Sequence, residues 1–146
     1  MATFSRNVTV NWEGSVLEGK GTAKAGSGAF NLPISFPRRI GDAEGVTSPE
    51  ELIAGAHATC YAMVVAGALA KNGATTSSTK VTCTISAEKT EAGIKIARSV
   101  LEVVAQGLTG MDAPTFDRTA KEAEGRCPVS NALRGSLAIE VKTSVA

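Results

Sequence analysis

Between Leu52 and Ala70 the chain carries no formally charged side chain. This run limits the possible folds more than any other feature. It is preceded by strong helix-start signals. Ser48 suits an N-cap, Pro49 the first helical position, and Glu51 completes a Ser-x-x-Glu capping box. Gly73, just after Lys71 and Asn72, suits the C-cap. The segment therefore reads as one long helix, apolar all round, and such a helix must be buried on every face. Roughly 20 apolar residues can also cross a bilayer. The Ala- and Gly-rich composition, His57, Thr59 and the soluble-type caps argue for a core helix instead. A chain of 146 residues with short strands has little with which to cover it. A homodimer burying the helix against its twin is the natural solution. Ala54, Gly55, Ala58, Ala62 and Ala66 would permit close approach.

The flanking segments read as strands. Val8, Val10 and Trp12 alternate with Asn7, Thr9 and Asn11, the period of a half-buried strand. Gly14, Gly19, Gly21, Gly26 and Gly28 mark tight turns or bulges between short antiparallel strands. Val81, Cys83 and Ile85 alternate after the helix, as do Ile94, Ile96 and later Val100 and Val104. Gly93 marks a hairpin between these two strands. Leu137, Ile139 and Val141 form a last alternating segment. A second helix is expected from about Pro114 to Glu124, starting near Asp112 or Ala113 and ending near Gly125. Cys127 then caps a short third helix with Pro128 at its first position. No internal repeat or linker is visible, so the expectation is one α+β domain over residues 1–146.

Composition removes several classes of function. Fifteen basic residues face fourteen acidic ones, aromatics are 4%, and no basic stripe or polybasic patch stands out. Neither a nucleic-acid nor a membrane partner is expected. The N-terminal residues lack the apolar core of a signal peptide, so a cytoplasmic location is expected. In that reducing setting a cysteine pair is more often catalytic than structural. The chain has Cys60, Cys83 and Cys127, no CxxC, and one histidine. That set falls short of the usual structural zinc ligands.

The three thiols differ in context. Cys60 lies inside the apolar helix, where a thiol is normally inert. Cys127 stands at a chain turn ahead of a proline-started helix, where the helix N-terminus favours a thiolate. Together they suggest a reactive and a resolving cysteine, and hence redox chemistry. Cys83, on an alternating strand, reads as a small buried hydrophobe.

An apolar setting alone would silence Cys60, so its activity requires a nearby cation. Arg38 and Arg39, in FPRRIGDAEG, are the upstream candidates, and at least one of them should be an ordinary solvated loop residue. A guanidinium would stabilise the thiolate and bind a peroxide oxygen. With Glu51 committed to the capping box, Glu50 is the carboxylate free to orient it. On one straight helix Glu50 and Cys60 lie about 15 Å apart along the axis and point roughly 80° apart. They cannot meet within one helix; if two such helices pack antiparallel in a dimer, Glu50 of one chain could approach Cys60 of the other. His57, three residues before Cys60, would serve as the base of a Cys/His hydrolase. A structural histidine is favoured, because such dyads are assembled from distant segments.

WEG at 12–14, SPEELIAGAHATC at 48–60 and CPVSNAL at 127–133 resemble, in order and spacing, the osmotically inducible protein C (OsmC) family. The resemblance spans nearly the whole chain. The related organic hydroperoxide resistance (Ohr) proteins share the architecture, and WEG with the HATC ending looks more like the OsmC branch. The resemblance implies an intertwined α+β homodimer with antiparallel sheets wrapped around two central helices. It implies a thiol peroxidase of the oxidative stress response acting on organic hydroperoxides, with hydrogen peroxide a further candidate. Cys60 falls on the family's peroxidatic cysteine, Cys127 on its resolving cysteine, Glu50 on the site glutamate, and Arg39 best matches the site arginine. Thr59 and Tyr61 replace the family's usual small residue and phenylalanine.

In the implied cycle, Cys60 becomes a sulfenic acid and Cys127 condenses with it to a disulfide. An external thiol or dithiol then restores both, with no metal or organic cofactor. Leu52, Ile53, Tyr61, Met63 and Phe36 are the expected apolar surroundings of the peroxide. Two alternatives are a redox sensor or small-ligand binder that closes the same disulfide without turnover, and a thiol-dependent hydrolase using Cys60 and His57.

Overall fold

Three short strands open the chain. The computed structural model describes residues 2–146 in two compact units, the first ending at Leu52 and the second running Ile53–Ala146. The first unit holds β1 (Val8–Glu13), β2 (Lys20–Ala25) and β3 (Asn31–Ile34), an antiparallel meander in the order β1-β2-β3. Gly14 makes its turn with a positive φ of 88°. Gly21 departs from the expected breaks, because it lies within β2, opposite Trp12. A Cβ there would sit 2.3 Å from the Asn11 carbonyl oxygen and 3.1 Å from the Trp12 ring, so close approach rather than turning requires the glycine. Pro33 sits on β3, an edge strand, where its missing N–H breaks no ladder. β1 is exposed along its whole length, with Val10 53% and Trp12 40% accessible, so its expected half-buried face is open in the single chain.

The segment read as a solvated loop contains a short helix, α1 (Phe36–Ile40), with Pro37 in its first turn. Helix α2 (Pro49–Lys71) follows and crosses from the first unit into the second. Its start keeps half of the expected capping box. Ser48 Oγ accepts from the Glu51 N–H at 3.1 Å, but the Glu51 carboxylate accepts instead from the buried Thr47 hydroxyl at 2.7 Å.

In the second unit α2 is followed by β4 (Ser78–Thr90), β5 (Gly93–Gln106), α3 (Ala113–Glu124), α4 (Pro128–Leu133) and β6 (Ala138–Val145). A two-residue turn at Glu91 and Ala92 joins β4 to β5 as expected, with Gly93 at φ 121°. Two details differ from the sequence reading. β6 joins the far side of β5 in parallel, so this sheet is mixed rather than wholly antiparallel. A bulge also shifts the register: Ser86 faces Arg98, whereas Ala87 faces Ile96. The extra residue, Ala97, reverses the phase of β5. Ile94 and Ile96 therefore share a face with Ser99, Leu101 and Val103, and Val100 and Val104 turn to the other side.

The core of this unit joins Tyr61, Val65, Ala68 and Leu69 of α2 to Leu101, Val103 and Ala105 of β5 and to Phe116, Ala120 and Ala123 of α3. The Tyr61 hydroxyl donates to the Ala120 carbonyl at 2.6 Å, so a polar tip is carried into the core with its partner. Asp112 caps α3 by accepting from the Thr115 N–H at 2.8 Å. α2 is long and apolar enough to span a bilayer, but its inner face is the core of a folded unit. Burial on every face is not met within one chain. Gly55, Ala56, Thr59, Met63, Ala66, Gly67 and Ala70 form an uncharged exposed strip, with Met63 70% accessible.

Candidate active site

Adjacent arginines on α1 take different partners. Arg39 reaches the first turn of α2, where its Nε lies 3.0 and 3.1 Å from the two Glu50 oxygens and its Nη2 2.6 Å from Oε1. This is a partly buried, bidentate ion pair. The hydrogen bond to Glu50 raises the Arg39 pKa, and the same bond holds the Glu50 carboxyl below its ordinary range. Arg38 faces solvent, with Nη2 2.6 Å from the Glu44 carboxylate and Nη1 donating to the Asp42 carbonyl. Arg39 also borders an open, apolar cavity of about 490 Å³ lined by Val10, Trp12, Ala23, Phe36 and Leu52. Phe36 and Leu52, expected near an apolar substrate, are thus in that wall. Tyr61 is instead wholly buried in the core of the second unit, and Met63 is exposed.

The two thiols of the redox reading lie in the second unit. Cys60 is half-buried on α2, and Cys127 is fully buried at the N-cap of α4. Cys127 Sγ accepts from the Ser130 N–H at 3.5 Å, while Pro128 at the next position has no N–H to leave unpaired. All three cysteines are free. Burial pushes the Cys60 thiol up, the Val129 N–H opposes that, and the adjoining Cys127 side chain raises it further. The packing thus brings the Cys60 and Cys127 side chains together. Among the described residues, no cation is among the groups acting on Cys60.

His57 is fully buried and does not pair with Cys60. Its Nδ1 lies 2.7 Å from Ser99 Oγ and its Nε2 2.7 Å from Ser130 Oγ. Burial lowers its pKa, so the ring is neutral, with one nitrogen donating and the other accepting. The dyad of the hydrolase reading is therefore absent from this arrangement. Cys83 joins the same cluster, with Sγ 3.2 Å from Ser99 Oγ and 3.9 Å from His57 Nδ1, and burial raises its pKa. Ser99 and Ser130 were missed by the sequence reading. Ser99 left no signal, because the alternation of Ile94, Ile96, Val100 and Val104 puts it on the opposite face until the Ala97 bulge reverses the phase. Among the described residues no group of three or more His, Cys, Asp or Glu side chains could hold a metal ion.

The family model of OsmC-like proteins matches residues 41–142, a span that takes in Glu50, Cys60 and Cys127 and starts just after Arg39. This chain belongs to the OsmC-like family. A relative named peroxiredoxin OsmC, from Escherichia coli (strain K12), is 35% identical over 94% of this chain and 96% of its own length. Organic hydroperoxide resistance protein-like 2 of Staphylococcus saprophyticus is 29% identical over 80% of this chain and 81% of its own. Among solved structures, an organic hydroperoxide resistance protein OsmC from Legionella pneumophila superposes with a TM-score of 0.70 at 25% identity, covering 100% of this chain and 99% of that one. The fold is also that of the organic hydroperoxide resistance protein OhrB of Bacillus subtilis, with a TM-score of 0.69 at 22% identity over 94% of this chain and 97% of that one. OsmC-like relatives thus carry names for peroxide reduction, and the fold is theirs.

Proposed function

We propose that this OsmC-like chain is a thiol-dependent peroxidase that reduces organic hydroperoxides, with Cys60 as the attacking thiol and Cys127 as the resolving one. The observation that carries this reading is that two free thiols adjoin in one core cluster, one half-buried and one fully buried. The Cys60 thiolate attacks the distal peroxide oxygen, an S–O bond forms as the O–O bond breaks, and the alkoxide leaves as the alcohol. Cys127 then displaces hydroxide from the sulfenic sulfur, and an external thiol or dithiol reduces the disulfide. The reaction draws on no metal or organic cofactor.

Cys60 as packed within its own unit has a raised pKa, so a cation must be supplied in the active form. Arg39, held by Glu50, is the guanidinium assigned to that task and to the departing oxygen. It is delivered from the partner of a homodimer built on the uncharged strip of α2. The apolar cavity beside Arg39 favours a peroxide carrying a hydrocarbon tail. The proposed location is the cytoplasm, where thiol reductants are available.

Steady consumption of cumene hydroperoxide with dithiothreitol, followed over many equivalents of protein, tests the reading. Sustained turnover that vanishes in Cys60→Ser is expected. Consumption that stops after one equivalent would instead identify a sensor or ligand binder. Ester hydrolysis lost in His57→Ala would identify the hydrolase, a reading disfavoured by the engagement of both His57 nitrogens with serines.

A further inference from the structure

The peroxide chemistry above makes no use of the single histidine, although its setting is elaborate. His57 ties α2 to β5 through Ser99 and to α4 through Ser130, and all three residues are fully buried. Ser130 has a second role, since its backbone N–H donates to Cys127 Sγ. Among the described residues every buried side-chain N or O atom has a partner, so this polar cluster is complete. A satisfied buried network fixes one geometry where an apolar cluster would tolerate several. We propose that His57 is a positioning residue for the resolving step: by holding Ser130 through Nε2 it fixes the first turn of α4, and with it the N–H that faces the Cys127 sulfur.

This inference rests on the peroxidase reading and names a role within it. In the resolving step the S–O bond of the Cys60 sulfenic acid breaks and the Cys60–Cys127 S–S bond forms. The Cys127 thiol proton leaves with the hydroxide as water. One sulfur is reduced and the other oxidised, so no further oxidant is needed. The Ser130 N–H stabilises negative charge on Cys127 as its proton departs. The first step, attack of Cys60 on peroxide, makes no direct use of the Ser130 N–H; it depends on this turn only through the neighbouring Val129 N–H, which acts on the Cys60 thiol.

The test separates the two steps. One equivalent of cumene hydroperoxide is added to the full chain. Loss of the Cys60 thiol reports the first step, and disulfide closure, with dimedone trapping of unclosed sulfenic acid, reports the second. His57→Asn keeps a polar atom near the place of Nδ1 only, whereas His57→Gln keeps one near the place of Nε2. Ser130→Ala removes the hydroxyl and leaves the N–H.

Losing one buried hydrogen bond should slow closure about tenfold in His57→Asn and Ser130→Ala, and should slow the first step, reached only through Val129, clearly less. His57→Gln should recover most of the closure rate, a rescue that general loosening of the core would not give. Closure at the parental rate in Ser130→Ala, or equal slowing of both steps, overturns the inference. Should His57→Asn fail to fold, Ser130→Ala decides alone. If the parent forms no sulfenic acid, the peroxidase reading falls and the inference with it. If the parent closes its disulfide and the variants close as fast, only the positioning role falls.

Discussion

Arg38 and Arg39 are neighbours in sequence with opposite surroundings, and this separates them experimentally. Arg39 is held in a partly buried fork by Glu50, while Arg38 meets Glu44 at the surface, where screening leaves little. Arg39→Ala should raise the pKa of the Cys60 thiol by about one pH unit or more, read from the pH dependence of its alkylation. Arg38→Ala should leave it unmoved, and the reverse result would reassign the site. His57 makes a second prediction. Its folded pKa lies below its unfolded value, so folding favours the neutral ring. The stability it contributes is complete above about pH 6.5 and is lost as the pH falls below that. Urea midpoints taken from neutral pH downward should therefore decline in the parent and stay flatter in His57→Gln. The meeting of Arg39 with Glu50 was legible, because each sits in or beside a spaced motif. Ser99 and Ser130 were not, because a hydroxyl's partner is set by tertiary packing and leaves no periodic trace.

At the scale of elements, the signals that survived folding were local ones. Asp112, Cys127 and Ser48 cap the helices they precede, since a cap is decided within a few residues. What escaped was non-local or too short to show a period. Alternation in Leu137, Ile139 and Val141 reveals a strand but not its direction, and β6 runs parallel to β5. A single extra residue at Ala97 reversed the phase of β5 without a change in composition. α1 spans five residues, too few for a helical repeat to be read. Gly21 offers a test of this scale. Gly21→Ala places a methyl against the Asn11 carbonyl and the Trp12 ring. It should lower stability by about 1–3 kcal/mol in urea unfolding, whereas a glycine that served only as a flexible break would tolerate alanine.

For the whole molecule the open strip on α2 carries the main prediction. Met63 is 70% accessible on an uncharged face with Gly55, Ala56, Ala66 and Gly67. If that face meets its twin, Met63→Glu buries an unpaired charge and should weaken the dimer about a hundredfold or more. Light scattering at micromolar protein should show the parent near twice the 14.9 kDa chain mass and the variant near that mass. A monomeric parent, or a variant that loses its twin yet keeps full peroxide turnover, would sink the shared-site arrangement. The zero accessibility of Cys127 beside the half-buried Cys60 carries one more implication. If the pair cycles as proposed, depth sets chronology: an incoming oxidant meets the shallower sulfur first and finds the other shielded.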